Sequence, residues 1–323
     1  MSRPGPVVTP RAGAGRRAGL AAAAVCAALM LASCSTSRPA TPGTPGGTAV
    51  GGPITVVATI NAWGSIAAQL GGARVQETSL ITNPATDPHA YEPTPTDARM
   101  VAGAGVFIKN GIGYDSWAAK MLAANPVPGR SVLDVGALVG VPDGGNPHRW
   151  YSPPDVRAVV DQITADYAKQ DPADKRYFEQ RNSAFLTTDL ATYNALISQI
   201  RAKYAGVKVG ASESIFSPMA QALGLDLVTP TSFLTAISQG TDVSAADKAT
   251  IDQQISGKQI KVYVFNSQNS TPDVAAQVAA AKAASIPVVA VTETLSPAGA
   301  TFQQWQSAQL QQLGAALHMA TRR

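Results

Sequence analysis

Cysteine and histidine are both scarce in this chain of 323 residues, with 2 of the first and 3 of the second. Charge is thin as well: Asp, Glu, Lys and Arg together make 14%, where about 25% is usual in soluble domains. Aromatic residues amount to 6%. Each shortage excludes something. Two cysteines cannot support a disulfide scaffold or a thiolate zinc site. Few charges beside 45% apolar residues exclude an acidic disordered tail and a coiled coil. Only one stretch is apolar enough to enter a bilayer, and it lies within the first 35 residues, so a polytopic membrane protein is excluded. No short repeat is present.

The formal net charge of +4 also fades on inspection. Arg3, Arg11, Arg16 and Arg17 precede residue 34, and no acid does. Without them 21 basic residues face 21 acidic ones. A neutral chain offers no general attraction for nucleic acid or anionic lipid.

What is present begins with an address. Arg16-Arg17 closes a positive segment, Ala18 to Leu31 is a short apolar run, and Leu31-Ala32-Ser33-Cys34 follows. This is the pattern of a secretory signal over residues 1–33. It resembles the bacterial lipobox, which implies lipidation at Cys34 and anchoring to the extracytoplasmic face of the cell membrane. Cys26 would leave with the signal. Any metal would then be bound through N and O ligands. Residues 34–52 are rich in Pro, Gly, Ser and Thr and read as a flexible linker.

From residue 53 the pattern alternates. Ile54–Ile60, Arg74–Ile81, Val106–Lys109 and Ser131–Val135 read as strands. Asn61–Leu70, Pro95–Ala104, Ser116–Ala124 and a helix from Pro153 lie between or after them. Asp171-Pro172 opens a helix that runs to about Tyr204 with no internal Pro or Gly, roughly 45–50 Å at 1.5 Å per residue. The alternation then resumes with strands at Lys208–Ala211, Val262–Phe265 and Pro287–Val291. Helices follow at Pro218–Leu223, Pro272–Ala284 and Ala300–Met319. Between Leu223 and Val262 the pattern assigns no element. The expected architecture is α/β: a parallel-sheet lobe over 53–170, a bridging helix over 171–205 and a second lobe over 206–323.

Scarcity makes each histidine informative. His318 reads as a helix-terminal surface residue. His89 and His148 each follow a proline in a stiff loop before a capped helix, in Asp87-Pro88-His89 and Asn146-Pro147-His148. The first loop leaves the C-terminal end of a strand, where open α/β sheets bind ligands. Glu213 and Glu293 stand just past two strands of the second lobe. Each acid alone is as well explained as a turn residue or cap. Together the four form an N₂O₂ set that Zn²⁺, Mn²⁺ or Fe²⁺ accepts.

The runs DPHAYEPTPTD (87–97) and NPHRWYSPPDV (146–156) resemble the metal-binding lipoproteins of bacterial zinc/manganese ABC importers. The resemblance covers residues 53 to 323. It implies one divalent ion, Zn²⁺ or Mn²⁺, bound between the lobes as cargo by His89, His148, Glu213 and Glu293. That family most often places Asp at the last position, where this chain has Glu293. It further implies a monomeric receptor, not an enzyme, that serves an ABC permease and its ATPase without nucleic acid. The rival readings are an extracytoplasmic metallohydrolase, a glycosidase built on the paired glutamates, a surface interaction protein with a structural metal, and a binding protein for an organic solute. No HExxH, GxSxG or Walker A pattern supports an enzyme.

Overall fold

The fold is that of a computed structural model, which describes residues 52–85, 88–269 and 271–322. The signal segment, Cys34, nearly all of the linker, and Asp87 lie outside the described residues.

Two four-stranded parallel sheets organise the chain. In the first, β1 (Ile54–Ile60), β2 (Val75–Ile81), β3 (Val106–Lys109) and β4 (Ser131–Asp134) are ordered β2-β1-β3-β4. In the second, β5 (Lys208–Ala211), β6 (Asp226–Leu227), β7 (Val262–Asn266) and β8 (Val288–Val291) repeat the order as β6-β5-β7-β8. The strands are buried on both faces: Val56, Val57, Ala58 and Ile60 of β1 are all within 1% of full burial. That is why they read as continuous apolar runs and not as alternating ones. In both sheets the strand order reverses at the first strand of the lobe. The C-terminal ends there form the crevice in which such sheets hold ligands.

The helices of the first lobe are α1 (Asn61–Gly71), α2 (Pro95–Gly103), α3 (Trp117–Ala124), α4 (Val135–Val139) and α5 (Pro153–Gln170). Thr94 and Asp97 close a reciprocal capping box at the start of α2. Ser152 makes no capping bond at α5, although its place in the sequence suggests one. Asp155 in the first turn pairs with Arg149 instead.

The bridge differs from the expected single helix. Pro172–Asp174 forms a 3₁₀ turn, followed by α6 (Lys175–Ala184), a π turn at Phe185–Asp189, and α7 (Ala191–Tyr204). Leu190 N donates to Phe185 O at 2.9 Å, the i→i+5 bond of that turn. α6 packs on α1 and α5 of the first lobe, and α7 on the second.

The second lobe contains α8 (Ser217–Leu223), α9 (Thr231–Ser238), α10 (Ala245–Ser256), α11 (Pro272–Ala283) and α12 (Phe302–Thr321). β6, α9 and α10 fall in the stretch that the apolar pattern leaves unassigned. Two of them are too short to show a period, and α10 buries only Ile251, Gln254 and Ile255. His318 lies exposed in the last turn of α12. One apolar core joins both lobes, running from Trp63 and Trp150 through Tyr193 to Trp305 and Leu313. All four tryptophans pack in cores, and Trp63, which could have faced the cleft, is fully buried.

Candidate metal centre

Four loops converge between the lobes, three of them leaving strands and the fourth, which bears His148, leaving α4. His89 sits in a 3₁₀ turn, Pro88–Ala90, after β2. Its loop is anchored beyond by Asp97, whose carboxylate accepts bonds from Tyr91 Oη at 2.9 Å, Thr94 N at 2.6 Å and Thr94 Oγ1 at 2.8 Å. His148 precedes the turn Arg149–Tyr151 and is fully buried. Its Nδ1 lies 2.9 Å from Asn146 Oδ1, an acceptor, which assigns the ring proton to Nδ1 and leaves Nε2 as a bare lone pair.

Glu293, two residues past β8, lies at the centre. Its Oε1 is 3.5 Å from His89 Nε2 and its Oε2 is 3.7 Å from His148 Nε2. One ligand atom from each of these three residues lies within 4.8 Å of the other two. His148 Nε2 has no hydrogen-bond partner and no solvent, and 3.7 Å is too long for a hydrogen bond. A buried bare nitrogen aimed at a buried carboxylate fits a divalent cation, since the donor set is one that Zn²⁺ and Mn²⁺ both accept.

Glu213, after β5, stands one residue removed from this trio. Asn266, the last residue of β7, donates from Nδ2 to Glu213 Oε1 at 2.7 Å and to Glu293 Oε1 at 2.8 Å. Asn269 donates to the other oxygen of Glu213 at 2.8 Å. The structure thus brings His89, His148 and Glu293 together and joins Glu213 to them through an amide.

Electrostatics separates the two acids. Burial, and then the charge of Glu293, push the Glu213 carboxyl up to about 8, against the bonds from Asn266 and Asn269. Burial would also raise Glu293, but the positive charge that the His148 and His89 rings take up at the low pH where it titrates outweighs burial and holds this carboxyl below its ordinary range. Of the bridged pair, Glu213 carries the proton near neutral pH. Burial holds His148 below its ordinary value, with Glu293 partly opposing, so its ring stays neutral.

His89 is the exposed member, with 23% of its side chain open. It faces a cleft of about 520 Å³ whose walls include Tyr114, Asn146, Ser214, Ser238 and Asn269. None of these is charged, so the cleft lines the approach to His89 with neutral polar groups.

The sequence profile described as "zinc-uptake complex component A, periplasmic" (ZnuA) matches residues 56–316. The chain belongs to this family. Among relatives of the ZnuA family, a "manganese-binding lipoprotein MntA" of Halalkalibacterium halodurans is 26% identical over 136 residues, 41% of this chain and 44% of the relative. A "high-affinity zinc uptake system protein ZnuA" of Bacillus subtilis is 25% identical over 209 residues, 58% of this chain and 63% of the relative. The matched stretches therefore span about half the length of these relatives. In fold, the chain is similar to the "periplasmic zinc binding protein TroA" of Treponema pallidum. The TM-score is 0.69 at 19% identity, over 82% of this chain and 99% of that one.

Tyr114, Asn146, Asn266 and Asn269 escape a reading that seeks acids and histidines. Asn266 alone left a signal: it ends a buried strand beside the crevice, the position that singles out Glu213 and Glu293.

Proposed function

We propose that this ZnuA-family chain is an extracytoplasmic receptor that captures one divalent transition metal ion, Zn²⁺ or Mn²⁺, and delivers it to an ABC-type permease. The observation that carries this reading is the convergence of His89 Nε2 and the buried His148 Nε2 on the two oxygens of Glu293. In this reading His89, His148 and Glu293 are direct ligands, and Glu213 joins them once it loses its proton. Two ligands come from the first lobe and two from the second, so the ion would bridge them. Export and lipidation at Cys34 would hold the receptor at the membrane. Among the described residues no helix is long and apolar enough to cross a bilayer.

The metallohydrolase reading needs an acid free to act as a base beside an open coordination position. Both oxygens of Glu293 already accept hydrogen bonds and face histidines, and Glu213 is bonded at both oxygens. That arrangement favours a ligand role over proton transfer.

The test is a titration of the metal-free chain from residue 36 onward with Zn²⁺ and Mn²⁺ against a competing chelator. One ion per chain is expected to bind tightly. His89→Ala and Glu293→Ala are each expected to weaken binding by at least about 100-fold, more than the loss of a residue behind a ligand typically costs. A wild-type chain that binds neither ion refutes the proposal. Turnover of an ester by the zinc-loaded protein supports the hydrolase instead.

A further inference from the structure

Tyr114 reaches Glu293 from the opposite lobe. Its hydroxyl donates to Oε2 at 2.8 Å, while Asn266 holds Oε1 at 2.8 Å from within the second lobe. The carboxylate is thus pinned at both oxygens and cannot turn without breaking a bond to a charged group, the stronger class of hydrogen bond. Tyr114 itself is 7% exposed. Its ring packs edge-on against His89 at 4.9 Å and Trp150 at 5.4 Å.

The loop behind it is held in an unusual backbone. Gly111, Ile112 and Gly113 have φ of 71°, 60° and 83°, three left-handed positions in succession, one of them a β-branched residue that resists it. Asp115 holds this shape. Its buried carboxylate accepts from Asn110 N at 2.6 Å, Gly111 N at 2.8 Å and Thr59 Oγ1 at 2.6 Å. Asn110 in turn donates to Pro147 O at 3.0 Å, which ties the loop to the one that bears His148. A strained loop, held by a buried carboxylate, that delivers a single hydroxyl to a candidate ligand points to a function at that hydroxyl.

We propose that Tyr114 is a specificity-determining residue of the metal site. Its hydroxyl fixes Glu293 with one oxygen toward each histidine, an orientation that offers both oxygens to the ion and suits one that takes a bidentate carboxylate. Chelation through both oxygens raises the coordination number, which Mn²⁺ accepts more readily than Zn²⁺, whereas a carboxylate free to turn can offer a single oxygen to a four-coordinate ion. The inference rests on the metal-receptor reading above.

The test is Tyr114→Phe, which removes the hydroxyl and keeps the ring. Affinities for Zn²⁺ and Mn²⁺ are measured by chelator competition on wild type and variant. The visible spectrum of each protein loaded with Co²⁺ is recorded beside them. The variant is expected to lose about tenfold in Mn²⁺ affinity with little change for Zn²⁺, so the Zn²⁺:Mn²⁺ affinity ratio rises about tenfold. The Co²⁺ absorption is expected to strengthen, as it does when coordination falls to four. A Zn²⁺:Mn²⁺ ratio that stays within about twofold of wild type overturns the inference, whatever the separate affinities do, because a packing role weakens both ions alike. Failure of the wild type to bind either ion is a different result, and it refutes the receptor reading itself.

Discussion

Glu213 and Glu293 occupy equivalent places in the chain and differ in state because of what surrounds each carboxylate. Glu293 faces two histidines and accepts from Tyr114 and Asn266. Glu213 accepts only amides and lies beside the charge of Glu293. In the metal-free fold Glu213 keeps a proton up to about pH 8, against an ordinary value of 4.5. A ligating carboxylate must lose it, so the metal displaces this proton at pH 7. Affinity is therefore expected to rise with pH across that window and to level off above it. Calorimetry in buffers of different ionisation enthalpy should find about one proton released per ion at pH 7. Glu213→Gln should abolish the release. Release that persists in that variant assigns the proton elsewhere and removes Glu213 from the ligand set. A second expectation concerns Asn146, whose Oδ1 accepts from both the backbone N and the Nδ1 of His148. Asn146→Ala frees the ring to change tautomer and should weaken metal binding by about 10- to 100-fold with the fold intact, as judged by circular dichroism. The histidines were legible from sequence because a rare residue stood twice in one stiff context. The amides and Tyr114 were not, because a neutral side chain carries no mark of the ion it will position.

The elements explain how loops so far apart in sequence hold such positions. Asp115 serves the loop after β3 as a capping residue serves a helix, satisfying two buried backbone N–H groups. Asp115→Ala leaves both without a partner and should cost roughly 3 kcal/mol or more in stability. A smaller loss by urea denaturation means that the loop rearranges to satisfy them. The π turn between α6 and α7 has an equally specific cause. Phe178 and Phe185 are buried on one side of α6 and its extension, and Leu190, Tyr193, Ile200 and Tyr204 on one side of α7. At about 100° per residue, an uninterrupted α-helix would carry the second stripe roughly a quarter-turn away from the first. One extra residue taken up by the π turn restores the alignment. Deleting exposed Thr188 should therefore straighten the bridge and leave the melting temperature within a few degrees. Deleting Gln180, within α6, should rotate Phe178 out of the core and unfold the chain. Equal damage from both deletions refutes this account of the turn. The break was visible in the sequence as a phase jump between Phe185 and Leu190. The absence of Pro and Gly, which marks helix ends and not π turns, concealed it.

At the scale of the whole molecule, the decisive feature is how many bonds cross between the lobes outside the metal ligands. Leu295 N donates to Asn61 Oδ1 at 3.2 Å and Phe302 N to Ser65 Oγ at 3.0 Å. Gln303 and Gln69 exchange bonds of 2.7 and 3.1 Å. Tyr151 Oη donates to Thr292 O at 2.8 Å, and Asn146 Nδ2 to Ser214 O at 2.6 Å. The chain crosses once through α6 and α7, and α12 crosses back in space to pack on both α1 and α7. A hinge opening would break these bonds and expose a core continuous from Trp63 to Leu313. The ion would have to offset that cost through its differential affinity for the open and closed states, so a large rocking of the lobes is not expected on binding. Any change on loading is then expected near the part-exposed His89 at the mouth of the cleft. Small-angle scattering of the metal-free and zinc-loaded protein should accordingly give the same radius of gyration within error. Hydrogen exchange should slow at the His89 loop and not along α7 or α12. A contraction on loading, together with protection along those two helices, contradicts the locked-lobe account. It would place the gate for the ion in the bridge and not in the loop.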